Sequence, residues 1–258
     1  MHSCEERVTM ETETIKKLPK LLKEMRLPIM AEEYENQKSD PAVLQLSFDE
    51  RLYELVSKEY DSRINHTIER YIKTAGFYDS TASLADINYK PERKLDKGLI
   101  DELSTNDYLE HGLNIILIGA SGCGKTWLSC AFGVNACINK YRAKYIRLPE
   151  LFSEFEVHRI QGSYRTYLKN LQKYDLLILD EFLLSPTNDS ERADLLELME
   201  SRCNKKSTIF CSQWTPEGWH QRLGEGPIAD AILDRIINSS YTISLHGKSM
   251  REEYSKVK

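Results

Sequence analysis

Residues Gly119 to Thr126 read GASGCGKT, behind an apolar run from Leu113 to Ile118 broken only by Asn114 and ahead of an amphipathic segment. The octet fits G-x-x-x-x-G-K-[ST], the pattern of a loop that cradles phosphates between a strand and a helix. Its glycines let backbone N–H groups converge on phosphate oxygens, and the helix that follows adds the partial positive charge of its N-terminus. Lys125 then reaches the β- and γ-phosphates, and the Thr126 hydroxyl holds Mg²⁺. A glycine-rich turn with an exposed lysine is the bland alternative, and it leaves the flanking strand and helix unexplained.

Downstream of the loop the pattern is strands alternating with helices, the mark of a parallel sheet covered on both faces. Five strands are expected, at Leu113 to Ile118, Ala143 to Leu148, Leu176 to Asp180, Thr208 to Ser212 and Tyr241 to Leu245. Upstream the pattern is helical. Leu18, Leu21, Leu22 and Met25 recur at helical spacing up to Pro28, and a second helix is expected over Met30 to Gln37. Ser47 and Glu50 form a capping box that opens a longer helix, with Gly76 as its C′ residue. The expected organisation is a helical domain at 1–76, a connector at 77–112 carrying Pro91 and Gly98, and a nucleotide-binding domain at 113–258.

Composition narrows the class. With 41% hydrophobic and 29% charged residues the chain can bury a core and is not of the disordered type. The apolar runs fall well short of the roughly eighteen residues that cross a bilayer. The charged start MHSCEER does not read as a secretory signal. Cys4, Cys123, Cys130, Cys137, Cys203 and Cys211 form no C-x-x-C pair, so reduced thiols and a cytoplasmic location are expected. Cys123 lies inside the loop, where a small tolerated residue is the plain reading and a redox switch the alternative. Residues 1–113 carry 16 basic and 23 acidic side chains and residues 114–258 carry 19 and 17, so charges of −7 and +2 sum to −5 and the phosphate-binding half is the more basic.

Tyr174 to Phe182 reads YDLLILDEF, a hydrophobic strand ending in adjacent carboxylates about fifty residues past the loop. In a parallel sheet the ligand site lies at the carboxyl ends of the strands, which sets Asp180 beside the phosphates and Mg²⁺ and Glu181 where it can polarise an attacking water. TIFCSQ, residues 208–213, ends another strand in polar side chains. Gln213, with Ser212 as the other candidate, is expected near the γ-phosphate or the water. Arg235 lies beside the apolar stripe of Ile228, Ala231, Ile232 and Ile236, where a helix-edge arginine reaches a neighbouring subunit's nucleotide or simply makes a surface ion pair.

The order of loop, DE strand, polar strand end and late helical arginine resembles the AAA+ ATPases, and its detail resembles the IstB/DnaC branch. The resemblance runs through RLPIMAEEYENQ, SFDERLYELVSKEYDSR, LLILDEF, SQWTPEGWHQRL, ADAILDRIINSSY and GKSMRE. The N-terminal phrases and GKSMR lean to the IstB side, the ATPase helpers of insertion-sequence transposition, rather than to the DnaC-like helicase loaders. The resemblance implies a P-loop AAA+ α/β core with a five-stranded parallel sheet, preceded by a small all-helical domain. Thirteen residues follow Leu245, which leaves the AAA+ helical lid absent or reduced. It also implies that Gly119, Ala120, Ser121, Gly122, Cys123, Gly124, Lys125, Thr126 and Trp127 bind ATP, with Thr126 and Asp180 on Mg²⁺. Lys125 and Glu181 would serve turnover, Gln213 as sensor and Arg235 as a finger acting in trans, with Arg251 a candidate for touching a phosphate. The implied partners are double-stranded DNA, an IstA-like transposase and further copies of the chain assembled head to tail with ATP, away from any membrane. Lys140, Arg142, Lys144 and Arg147, then Arg159, Arg165, Lys169 and Lys173 interleaved with Tyr164 and Tyr167, are candidates to line DNA phosphates. A P-loop kinase acting on a small metabolite is the alternative of another class.

Overall fold

The computed structural model describes residues 17–247, 249 and 250. Two compact units divide the chain, Met1–Glu69 and Arg70–Lys258.

In the first unit residues 17–24 form helix α1, Pro28–Ser39 form α2, and α3, Phe48–Ala75, begins there and runs on past the division. Pro28 opens α2 as its first-turn residue, where a missing N–H costs nothing, in addition to ending the segment before it. The capping box forms: Ser47 N–H donates to Glu50 Oε2 at 2.8 Å and Glu50 N–H to Ser47 Oγ at 3.3 Å. The start of α2 is capped from a distance instead, by Glu59 of α3, whose Oε2 accepts from Ile29 N and Met30 N at 3.0 and 3.1 Å. Burial works against ionisation of Glu59, but these N–H groups and Arg63 outweigh it and hold the carboxyl below its usual range.

The second unit is built on five parallel strands, β1 Asn114–Gly119, β2 Ala143–Arg147, β3 Leu176–Asp180, β4 Ser207–Ser212 and β5 Ser240–Leu245, in the order β2-β3-β4-β1-β5. Each lies within one residue of its expected span. Alternate residues feed two cores. Ile115, Leu117, Ile178, Ile209 and Cys211 face α6, Lys125–Ile138, together with Ile100 and Leu103 of α4, Lys97–Ser104, and Tyr108 and Leu109 of α5, Asp107–Glu110. Ile116, Leu177, Leu179 and Phe210 face the other way, onto α7 Leu148–Ile160, α8 Tyr164–Leu171, α9 Asp189–Arg202, α10 Pro216–Arg222 and α11 Gly226–Ile237. Burial on both faces is why these strands read as nearly unbroken apolar runs. Asn114, the exception in β1, is buried because its Oδ1 accepts from Thr208 N at 2.9 Å and so ties β1 to the start of β4.

Because all five strands run the same way, their carboxyl ends share one edge. The register pairs Arg147 with Asp180, Ile118 with Ser212 and Gly119 with Leu245. No helix among the described residues is long and apolar enough to cross a membrane. The described residues beyond β5 do not reach the segment on which the question of a lid turns.

Candidate functional site

A cavity of about 440 Å³ opens at that edge, lined by the loop residues Ser121, Gly122, Gly124, Lys125 and Thr126, by Trp127 on α6, by Asp180 and Glu181 beyond β3, and by Gln213 beyond β4. The turn that makes it depends on glycine. Gly124, at φ +96°, is the N-cap of α6, and a Cβ on Gly119 would meet Leu245 O at 2.5 Å and Cys123 Sγ at 2.6 Å. Gly119, Ala120 and Cys123 support the loop rather than line the cavity. The Lys125 ammonium is folded back onto the Gly119 and Ala120 carbonyls, at 2.7 and 2.8 Å, with Cys123 Sγ at 3.9 Å. Anionic oxygens in the cavity would compete for that ammonium.

Asp180 is buried and accepts three hydrogen bonds. Thr126 Oγ1 and Tyr145 OH donate to Oδ2 at 2.7 and 2.8 Å, and the N–H of Glu181 donates to Oδ1 at 2.8 Å. Burial, then the charge of Asp180, pushes the Tyr145 phenol far above its ordinary range, so it stays a donor at every working pH. Among the described residues no cluster of three His, Cys, Asp or Glu could hold a metal alone. One hydroxyl and one carboxylate, with room for phosphate and water oxygens, is the donor set that suits Mg²⁺, so Thr126 and Asp180 fit that ion.

Glu181 lies at the mouth, with Arg147 Nη1 3.8 Å from its carboxylate. Glu181 and Leu183 both have φ +53°, a left-handed backbone that is uncommon for side chains of this size. The turn is latched on either side of Phe182, whose N–H donates to Cys211 O at 2.8 Å and whose carbonyl accepts from Ser212 Oγ at 2.8 Å. Ser212 is thereby committed: buried, it also accepts from Trp214 N at 3.1 Å and Trp219 Nε1 at 2.9 Å. Gln213, exposed, is the polar side chain of the pair that lines the cavity.

Arg235 does not line its own chain's cavity. It sits on α11, with Nη1 donating to Ala231 O at 2.7 Å and Nη2 to Glu200 Oε1 at 2.8 Å. Arg251 lies outside the described residues. Of the basic side chains, Arg165, Lys169 and Lys173 are exposed, whereas Arg159 is paired with Asp194 at 2.5 Å. Tyr164 and Tyr167 are partly buried and pack against Phe155, at ring separations of 5.5 and 5.6 Å.

Sequence reading missed several residues. Tyr145 reads as one more apolar strand residue, and its hydroxyl near a strand's carboxyl end was the only signal. Tyr78 and Asp79 also line the cavity and Arg93 contacts the phosphate loop, all brought in from stretches without a motif, and Met250 of the GKSMRE phrase lines the cavity too.

Residues 20–257 match the family of IstB-like ATP binding proteins. The chain belongs to that family. A protein of Sinorhizobium fredii (strain NBRC 101917 / NGR234), whose name proposes ATP binding in an insertion sequence, is 35% identical over 230 residues, covering 89% of this chain and 94% of its own. Among solved structures, the DnaC helicase loader superposes with TM-score 0.54 at 18% identity over 64% of this chain and 96% of its own. DnaA from Aquifex aeolicus bound to AMPPCP superposes with TM-score 0.55 at 19% identity over 68% of this chain and 53% of its own. At those identities the likeness is one of fold, and the fold is the AAA+ core.

Proposed function

We propose that this chain is a Mg²⁺-dependent ATPase that assembles head to tail on duplex DNA when ATP is bound and assists the transposase of its insertion sequence. The observation that carries the reading is the division of labour around one cavity. Thr126, Lys125, Asp180, Glu181 and Gln213 converge on it, while Arg235 does not line it and is paired with Glu200 of its own chain. In this reading Lys125 leaves the Gly119 and Ala120 carbonyls for the β- and γ-phosphate oxygens. Thr126 and Asp180 hold Mg²⁺, which would neutralise charge on the transferring phosphoryl group. Glu181 orients and polarises the attacking water, and Gln213 meets the γ-phosphate from the neighbouring strand end. Arg235 of the next subunit completes the site, so occupancy and assembly are coupled.

The exposed row of Arg165, Lys169 and Lys173 on and just beyond α8 supports phosphate-backbone binding, which repetition along an assembly would strengthen. A heterologous contact of this kind closes into a ring or continues as a helix. The relatives' insertion-sequence names favour a transposase partner over a helicase. Turnover measured against protein concentration, with and without duplex DNA, tests the reading. A rate per subunit that climbs with concentration and DNA, and is lost in Lys125→Ala, supports it. Full turnover in a dilute, demonstrably monomeric sample overturns the shared site, and phosphoryl transfer to a metabolite without any DNA effect makes the protein a kinase.

A further inference from the structure

Two consecutive carbonyls of the phosphate loop are held from outside it. Met250 N–H donates to Gly122 O at 2.9 Å, and Arg93 Nη2 donates to Cys123 O at 3.0 Å. In a trans peptide the C=O and the following N–H point to opposite sides. Pinning these two oxygens therefore directs the N–H groups of Cys123 and Gly124 away from the donors. Those N–H groups are ones a phosphate loop needs facing its ligand. Two glycines, at φ +81° and +96°, flank Cys123, so the segment has little stiffness of its own and would otherwise sample other peptide orientations.

Arg93 is built into the place. Its side chain lies in a residue only 6% exposed, its Nη1 donates to Asn88 O at 3.3 Å, and its own carbonyl faces His246 N at 3.4 Å. The contact is close on both sides: a Cβ on Gly124 would come within 3.0 Å of Arg93 Nη2, and one on Gly122 would meet Ser249 Oγ at 2.3 Å. The planar fork of arginine holds the Asn88 and Cys123 carbonyls from two separate nitrogens in a fixed geometry, which the single nitrogen of a lysine ammonium does not reproduce.

We propose that Arg93, with the backbone of Met250, is an outer brace that presets the phosphate loop for polyphosphate. Arg93 is thus a positioning residue that acts through the Cys123 carbonyl and does not touch the nucleotide. The proposal rests on the reading of the cavity as an ATP site. It gives the stretch before the sheet and the stretch after it one shared task, fixing the peptide orientation of a loop that the motif alone leaves pliable.

The test uses the full chain as wild type, Arg93→Met, Arg93→Lys and Met250→Pro, the last removing the second donor without altering charge. Backbone order parameters of Gly122, Cys123 and Gly124 are measured by NMR without nucleotide, and ATP affinity by calorimetry. The brace predicts that loop order parameters drop from about 0.85 toward 0.6 in Arg93→Met and in Met250→Pro while β3 is unchanged. ATP affinity should fall about tenfold in each, and Arg93→Lys should recover only part of it. Loop order equal to wild type in both Arg93→Met and Met250→Pro overturns the proposal. So does full recovery of ATP affinity by Arg93→Lys with loop order unchanged throughout, which would mean that charge near the nucleotide is what matters. If Arg93→Met does not fold, Met250→Pro and Arg93→Lys decide. A wild-type chain that fails to bind ATP sinks the nucleotide reading, while the order parameters still judge the brace.

Discussion

Two hydroxyls and a peptide N–H converge on the Asp180 carboxylate, and only one of the two hydroxyls belongs to the phosphate-loop motif. Tyr145 holds the same Oδ2 that Thr126 touches, so it fixes the direction in which Asp180 can face a cation. Tyr145→Phe keeps the ring in the core and removes one hydrogen bond to an ionised group, worth about 1.5–3 kcal/mol. The Mg²⁺ concentration for half-maximal turnover should rise about tenfold, with ATP binding in the absence of Mg²⁺ unchanged. A Mg²⁺ titration of the ATPase rate checks this, and an unshifted midpoint would assign Tyr145 to packing alone. Glu181 offers a second check at this scale. Arg147, hydrogen-bonded to Glu150, also sets a guanidinium nitrogen 3.8 Å from the Glu181 carboxylate, and Arg147→Ala should lower turnover several-fold without changing ATP affinity, since Arg147 lies outside the cavity's lining.

At the scale of elements, the amino ends of β3 and β4 are kept in place by a guanidinium no motif predicts. Arg202, the last residue of α9, is 1% exposed and serves four acceptors. Its Nη1 donates to Leu171 O and Tyr174 O at 2.9 and 3.1 Å, Nη2 to Ser207 O at 2.6 Å, and Nε to Thr208 Oγ1 at 3.1 Å. One side chain thus joins the end of α8, the approach to β3 and the start of β4. Burial pulls its pKa down to about 9, so it remains charged at neutral pH. Arg202→Met fills similar space but strands several buried acceptors, at about 1–3 kcal/mol each. A loss of about 3 kcal/mol or more is expected in urea unfolding of the second unit. A change under 1 kcal/mol would show that water replaces the guanidinium.

For the whole molecule the proposed head-to-tail assembly turns on Arg235. Facing Glu200 and Ala231 on its own chain, it serves an ATP only if a neighbour's site comes to it. Arg235→Ala should bind ATP like wild type and turn over about 10³-fold or more slower. Glu181→Gln should be equally inert, for the opposite reason. An equimolar mixture of the two inert variants should recover about a quarter of wild-type turnover, because one contact in four in a random head-to-tail array pairs an intact Glu181 with an intact Arg235. A mixture as inactive as its components would remove the finger from the mechanism.

Much of this was legible in the chain itself. A strand buried on both faces must be apolar throughout, and a phosphate loop must place glycines, lysine and threonine at fixed intervals. The five strands, the loop, the Ser47–Glu50 box and the Asp180–Glu181 pair could therefore be read directly, because each is local in sequence and demanded by backbone geometry. Tertiary structure decided what locality cannot. Glu59 caps α2 from about thirty residues away, Tyr145 on β2 reaches Asp180 at the end of the neighbouring β3, and Ser212 is drawn into the turn at Phe182, leaving Gln213 to line the cavity. In each case a polar atom's partner is set by where the chain returns in space, and a hydrogen bond between distant segments leaves no periodic trace in the sequence that makes it.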